Sequence, residues 1–364
     1  MALSRLGDYI ELTDNKNTDL QFDVTDVKGI SIKKIFIPTK ADMDGVPLTS
    51  YKIVKPLEFC YVTITSRNGE KITLALNDSD QTYICSSSYV AFKIKDSTKI
   101  LPFYLYMYFN RPEFDRYSRF NSWGSAREAF GWEDMCDIEI DIPSIEVQQK
   151  VVDVYLAMVA NQKAYEKGLD DLKITYEAYI ENLRRTSVQV KIGSHIEKRV
   201  EKNTNRIDIV KGISKDGFIN PNQSSSDDLS SYKLVKKGDF VFSPPRINIG
   251  SIGLWNEDYE CVCSPIYEVF YCSSEKLINE YLFIWLKRDE FFRYTGFHSI
   301  ASVRNNFDFD MLSELEIPIP KLSIQKSIVS VYKAYQERKK INDELKKKIN
   351  EICSVLIKGS IDLN

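Results

Sequence analysis

The chain has 364 residues, 43% of them hydrophobic and 28% charged, which is enough for two to three ordinary domains and excludes a disordered protein. Its formal net charge of −3 excludes a simple basic nucleic-acid binder. No apolar run approaches the roughly 18 residues of a membrane span, the longest being Leu101 to Phe109. Seven cysteines without framework spacing, and an N-terminus Met-Ala-Leu-Ser-Arg-Leu without the apolar stretch of a secretory signal, point to a reducing, cytoplasmic setting. The 21 tyrosines and 19 phenylalanines favour β-rich packing or aromatic surfaces that meet a partner.

In chain order, short alternating runs at Phe59–Thr65 and Val90–Ile94 predict strands, and one amphipathic helix is expected near 101–120. An Ile-x-Ile-Pro strand exit at Ile140–Pro143 leads into a long helix from about Ile145 to Arg185. The order then starts again. Strands are expected at Phe240–Ser243 and Val269–Tyr271, a helix near 278–294, a second Ile-x-Ile-Pro exit at Ile317–Pro320, and a long helix from about Ser323 to Ile357.

That second pass is a tandem repeat. Leu6-Gly7-Asp8-Tyr9-Ile10-Glu11 answers Ile192-Gly193-Ser194-His195-Ile196-Glu197, and V-K-G-I-S occurs at 27–31 and at 210–214. Tyr51–Lys55 matches Tyr232–Lys236, while Cys85-Ser86 with Tyr89 and Phe92 matches Cys263-Ser264 with Tyr267 and Phe270. Ser125, Arg127, Phe130 and Gln148 fall on Ser302, Arg304, Phe307 and Gln325. So many matches in one order mark a duplicated unit, and insertions in loops account for the drifting shift.

Each long helix carries a seam. Val151, Tyr155, Met158, Gln162, Tyr165, Leu169, Leu172, Tyr176, Tyr179 and Leu183 follow a strict 4-3-4-3 spacing, the heptad pattern of a helix packed on a helix. The second seam is Ile328, Tyr332, Tyr335, Ile341, Leu345, Ile349, Ile352 and Leu356, with a phase slip between Tyr335 and Ile341. An antiparallel intramolecular pair is the expected use, with Gln162 as a polar register residue. At 1.5 Å per residue each helix spans roughly 50–60 Å. The fold class expected is α/β (mixed α+β), with two repeated domains, 1–143 and 187–320, and two coiled-coil spacer helices, 144–186 and 321–364.

The chemistry-bearing patterns are weak. Ser243-Pro244-Pro245-Arg246 resembles the Pro-Pro loop of amino-methyltransferases, but Arg246 stands where an aromatic would stack on the target base. Glu337-Arg338-Lys339 and Glu344-Leu345-Lys346 fit half a nuclease pattern and lie on the heptad helix, where they read as solvated charges. Cys261-Val262-Cys263 cannot close a tetrahedral zinc site alone and reads as buried strand cysteines; no metal is expected. A phosphate-cradling Gly-x4-Gly-Lys-Ser/Thr loop is missing, so ATP hydrolysis is not expected of this chain.

Two motifs carry a family resemblance. Ser125-Ala126-Arg127-Glu128-Ala129-Phe130-Gly131-Trp132, running into Ile140-Asp141-Ile142-Pro143 and Gln148-Gln149, resembles the end of a target-recognition domain entering its spacer helix. Ser302-Val303-Arg304-Asn305-Asn306-Phe307, running through Ile317-Pro318-Ile319-Pro320 to Gln325, looks like the same element again. With the duplication and two spacer helices, the chain resembles the specificity (S) subunit of Type I restriction-modification systems over essentially its whole length. Ser144-Ile145-Glu146 after Pro143 is more polar than the usual exit.

The resemblance implies a non-catalytic subunit whose two domains each read half of a split double-stranded DNA target. It implies helices that set the spacing and dock two modification subunits, with a restriction/translocase subunit as a further partner and no membrane. S-adenosylmethionine, and ATP with Mg, would be bound by those partners. The alternative is a coiled-coil scaffold that reads no DNA. The two spacer segments together carry +4, which leaves −7 on the rest of the chain, so partners are expected to supply much of the phosphate affinity.

For DNA contacts the candidates are Arg67 with Asn68 and Arg246 with Asn248, placed just after a strand in each repeat. A second group comprises Trp123, Ser125, Arg127, His298, Ser302, Arg304 and Asn305 in Ser/Asn-rich loops. Arginine pairs bidentately with guanine or grips phosphate, and repeat equivalence favours the backbone role. The divergent loops 65–80 and 214–231 are the better places for choice of bases. For the spacer and partner helices the candidates are Tyr155, Met158, Gln162, Tyr165, Leu169, Leu172, Tyr332, Tyr335, Leu345 and Ile349.

Overall fold

A computed structural model describes residues 3–66, 69–125, 127–221, 228–299 and 306–362. The chain divides into two compact units, Met1–Tyr165 with Ile341–Asn364 and Glu166–Lys340. In the first unit an antiparallel sheet runs in the order 10–13, 89–94, 59–62, 74–76. The second unit repeats it as 196–198, 268–272, 240–242, 252–254. Phe59 sits directly opposite Phe92, with rings stacked at 4.9 Å, and Phe240 sits opposite Phe270 at 4.7 Å. Cross-strand aromatic pairs of this kind fix register as well as burying area.

Smaller ribbons repeat too. Lys52–Val54 pairs with Tyr83–Cys85, and Lys233–Val235 with Cys261–Cys263. The V-K-G-I-S segments play one role twice, entering the hairpins Lys28–Ile30/Phe36–Pro38 and Gly212–Ser214/Gly217–Ile219 while Val27 and Val210 bridge Ile84 and Val262 in parallel. Each repeated domain is closed by a ribbon joining its start to its end, Ser4–Arg5 with Glu139–Ile140 and Gln189–Lys191 with Glu316–Pro318. Gly7 and Gly193 let the opening turns approach Cys136 and Ser313, which a Cβ would meet at 2.8 and 2.9 Å.

Where one amphipathic helix is predicted per repeat, the structure has two short ones. Helix α1 (Pro102–Phe109) is apolar all round and almost wholly buried, so it is not amphipathic. Arg111 then turns extended and Pro112 starts α2 (Pro112–Phe120), because a proline ring cannot continue α1. A one-turn helix α3 (Trp132–Cys136) precedes the long α4 (Ile145–Thr186). In the second repeat α5 (Asn279–Leu286) and α6 (Asp289–His298) answer α1 and α2, followed by α7 (Phe309–Ser313) and the long α8 (Leu322–Asp362).

The long helices pack antiparallel within each unit. In the first, Val151, Val152 and Tyr155 share a core with Ile349, Cys353 and Ile357, and the Gln162 amide donates to Asn342 Oδ1 at 2.9 Å. In the second, Ile180 and Leu183 share a core with Ile328 and Val329, and Tyr176 packs edge-on against Tyr332 at 5.4 Å. Tyr155, Gln162, Leu169 and Ile349 are buried, while Met158, Tyr165, Leu172, Tyr332, Tyr335 and Leu345 are half-buried. The predicted seam fails at Tyr179, which is 48% exposed, while Ile180 is 1% exposed. A strict seven-residue repeat drifts about 20° per heptad on a straight α-helix, so four heptads after Val151 the stripe falls on the next residue. The slip in the second seam has a cause as well: the buried seam position is Asn342, seven residues after Tyr335 and in contact with Gln162, and not the half-buried Ile341.

Candidate nucleic-acid interface

Two loops meet in each unit, and backbone hydrogen bonds weld them together. After the Phe59–Val62 strand, Phe130 N–H donates to Thr63 O at 2.8 Å and Thr65 N–H donates to Glu128 O at 3.0 Å. Trp123 and Ala129 exchange backbone bonds across the same loop. Gly124, at φ +140°, makes this turn possible, because a Cβ there would collide with the Arg127 carbonyl. Arg119, at the end of α2, pairs with Glu128 and reaches Thr65 Oγ1 at 3.4 Å. In the second unit Phe307 N–H donates to Pro244 O at 3.2 Å, the same weld one repeat later.

Ser243-Pro244-Pro245-Arg246 is the entry to a 3-10 turn, Pro244–Ile249, stopped by left-handed Gly250. The prolines start that turn, and Ser243 is buried with its N–H on Ser251 O at 3.0 Å. Arg246 and Asn248 are exposed on it, and the turn packs against α6. His298 is exposed at the end of α6 with its ring 4.2 Å from that of Tyr294. In the first unit Trp123 is 66% exposed, and Ser125 and Arg127 are exposed beside it. Five of the predicted contact residues, Arg67, Asn68, Ser302, Arg304 and Asn305, lie outside the described residues.

The expectation that 65–80 is one divergent loop is corrected. Leu74–Leu76 is a fully buried strand paired with Phe59–Tyr61, and Ile72 is buried before it. The continuous apolar run Ile72-Thr73-Leu74-Ala75-Leu76 is that of a strand covered on both faces. Gly217–Ile219 is likewise a strand inside the segment 214–231. Cys261 and Cys263 are buried in a strand as expected, and burial pushes both thiols up to about 12.

The structure gives two repeat-equivalent pairs a setting that the sequence does not reveal. Gln148 and Gln325 begin the long helices fully buried. Gln148 Oε1 accepts Leu101 N–H at 2.9 Å, and its amide donates to Lys99 O and Pro143 O at 2.9 Å. Gln325 repeats this with Ile278 N–H at 2.9 Å and with Lys276 O and Pro320 O at 2.8 Å. One side chain thus locks each long helix to the loop before the domain's short helices. Their equivalence was visible in the repeat, but a helical glutamine carries no sign of its partners. Phe120 and Phe297, 79% and 74% exposed, are the other pair.

Among the described residues no group of three or more His, Cys, Asp or Glu could hold a metal ion, and no helix is long and apolar enough to cross a membrane. No curated protein matches the chain in sequence. Among solved structures, the Type I restriction-modification S subunit from M. genitalium superposes with a TM-score of 0.59 at 10% identity, covering 99% of this chain and 95% of that one, which establishes the fold. The HsdS subunit from Thermoanaerobacter tengcongensis covers 99% and 96% at 15% identity, with a TM-score of 0.40 that is too low to bear on the fold. A family model described as the Type I restriction modification DNA specificity domain matches residues 190–351. Residues 190–351 thus carry the likeness to the Type I restriction modification DNA specificity domain, and the first half of the chain is built on the same frame.

Proposed function

We propose that the chain is the DNA-sequence-recognition subunit of a Type I restriction-modification complex, with each domain reading one half of a split target. The observation that carries this reading is the duplicated frame: two equivalent pairs of welded loops, each on a domain locked by a glutamine to a long helix. The long helices set the distance between half-sites and dock two modification subunits, and a restriction/translocase subunit completes the assembly. The chain itself performs no chemistry. S-adenosylmethionine is bound by the modification subunits, and ATP with Mg by the restriction subunit. Its seven free thiols suit the reducing cytoplasm.

Charge supports a division of labour. The −7 outside the spacer segments is a poor counterion for phosphate, so the isolated chain binds DNA weakly and with little selectivity. Adding the modification subunits raises affinity and selectivity together, with a steep dependence on salt. The test is co-expression with those subunits followed by mapping of methylated adenines. Two half-sites at fixed separation support the reading, whereas an assembled complex that shifts no duplex leaves a coiled-coil scaffold in its place. Inserting four residues after Gln162, with a matching insertion within 336–350, lengthens each helix by about 6 Å. The gap between half-sites then grows by about one or two base pairs while both half-sites keep their sequence.

A further inference from the structure

Each unit ends its second short helix on a bare aromatic ring. Glu113-Phe114-x-Arg116-Tyr117-Ser118-x-Phe120 in α2 returns as Glu290-Phe291-x-Arg293-Tyr294-Thr295-x-Phe297 in α6. The inner positions of this pattern serve the core, with Phe114, Ser118, Phe291 and Thr295 buried. Phe120 and Phe297 do not, being 79% and 74% exposed. A single exposed apolar side chain needs no explanation, but the same one kept bare at the same place in both copies points to a partner.

The surroundings say what kind. Phe120 lines a cleft of about 740 Å³ whose walls carry five exposed cations, Lys33, Lys71, Arg116, Arg119 and Lys347, against the exposed carboxylates of Glu70 and Glu351, beside the buried Lys34–Asp115 pair. In the second unit Arg293 stands one turn before Phe297, and the turn bearing Arg246 packs on the same helix. Arg116 and Arg293 each rest 3.4 Å from a glutamate three residues earlier, in exposed pairs that a phosphate displaces at little cost. An apolar ring within a cationic rim fits a polyanion that has flat apolar faces between its charges.

We infer that Phe120 and Phe297 are apolar contacts to duplex DNA, one in each half, set against sugar or base faces between phosphates held by Arg116 and Arg293. This rests on the recognition-subunit reading and adds to it a grip that is independent of sequence. Residues equivalent in both halves cannot choose different bases, so they hold the duplex while the divergent loops choose.

The test uses the full chain assembled with its modification subunits, and compares binding of a duplex carrying the mapped target with a scrambled duplex. Phe120→Ala and Phe297→Ala each weaken both duplexes by the same factor, roughly tenfold, and leave the methylated positions and the melting temperature unchanged. Phe120→Trp restores binding. Val188→Ala, at an apolar position 83% exposed and outside this surface, has no effect. Three results overturn the inference: unchanged affinity in both alanine variants, a loss confined to the target duplex, or a loss of subunit assembly, which assigns the phenylalanines to the protein partner. A wild-type complex that does not distinguish the two duplexes overturns the recognition reading and this inference with it. One that does distinguish them, beside unaffected variants, overturns the inference alone.

Discussion

The two halves share a frame and differ in how charge fastens it. In the second, Arg199 clamps the buried Asp239 carboxylate through two hydrogen bonds at 2.5 and 2.9 Å, and Asp239 also accepts Lys236 N–H at 2.8 Å. In the first, Glu58 keeps the equivalent bond from Lys55 N–H at 2.8 Å, but the arginine's position is held by Thr13, whose buried hydroxyl has no partner. The hairpins show the converse. In the first half Lys34 is buried against Asp115 at 2.8 Å, and burial pulls its ammonium below the usual lysine range. In the second, Lys287 reaches instead from the end of α5 to the carbonyls of Lys215, Gly250 and Ile252. Apolar registry and the glutamine lock survived duplication because every neighbour depends on them. The ionic fasteners were exchanged because each concerns only its own two or three partners.

The largest test of that contrast is at positions 13 and 199. Arg199→Ala leaves Asp239 buried without its counter-ion and costs about 3–5 kcal/mol, whereas Thr13→Val removes an unsatisfied hydroxyl and is neutral or slightly stabilising. Denaturant melts, with hydrogen exchange read separately over each half, report both effects. Equal losses at the two positions would show that the halves are fastened alike. Next come the glutamines, where the halves should behave identically. Gln148→Ala and Gln325→Ala each strand one N–H and two carbonyls, for about 2–3 kcal/mol, and a difference beyond 1 kcal/mol between them would break the equivalence of the locks.

Smaller effects separate the two stretches of helix pairing. Gln162→Leu leaves Asn342 buried without that bond and costs about 1–2 kcal/mol. The double variant Gln162→Leu/Asn342→Leu recovers most of it and loosens register, which thermal melts and the oligomeric state reveal. If the double variant is as unstable as the single one, the pair is not a register device. In the second unit Tyr176, Tyr332 and Tyr335 make the corresponding packing.

The smallest effect is one of pH. Hydrogen bonds from Arg184 and Arg185 draw the Glu181 carboxyl down to about 2, and Arg288 of the second unit lies 3.5 Å from it. A carboxylate depressed in the folded state contributes stability that is complete above the unfolded value near 4.5 and is lost as pH falls towards about 2. The matching junction in the first unit uses hydroxyls, Ser354 on Glu113 and Ser360 with Tyr104, while Arg116 meets Glu113 only at 3.4 Å, a looser pairing than that at Glu181. Hydrogen exchange over α6 should rise through that window more than exchange over α2. Equal responses would remove Glu181 as the cause.

Much of this architecture was legible because duplication writes each element twice. The strand runs, the long helices, the buried strand cysteines and the Ile-x-Ile-Pro exits could be checked against their own copies. The break at Pro112 is also written in the sequence, but the apolar segment before it and the amphipathic segment after it each have a helical pattern, so the two read as one helix. Tyr179 for Ile180 is a different kind of miss: heptad counting assumes a supercoil, and a straighter helix drifts away from it. The polar partners were not legible at all. Nothing in the residues around Gln148 says that its amide closes on Lys99 and Pro143, and although helical spacing sets Phe120 off the face of Phe114 and Ser118, nothing in α2 says what that ring meets.

The glutamine locks have a mechanical consequence. Three hydrogen bonds from one buried side chain tie the first turn of each long helix to the loop ahead of the short helices and to the strand exit behind it. Such a joint has no slack in torsion, because turning the helix about its own axis must break all three bonds together. Twist or strain imposed on α4 or α8 therefore passes directly into the domain that its glutamine holds. Conversely, a load on the loops reaches the helix without the intervening turn absorbing it.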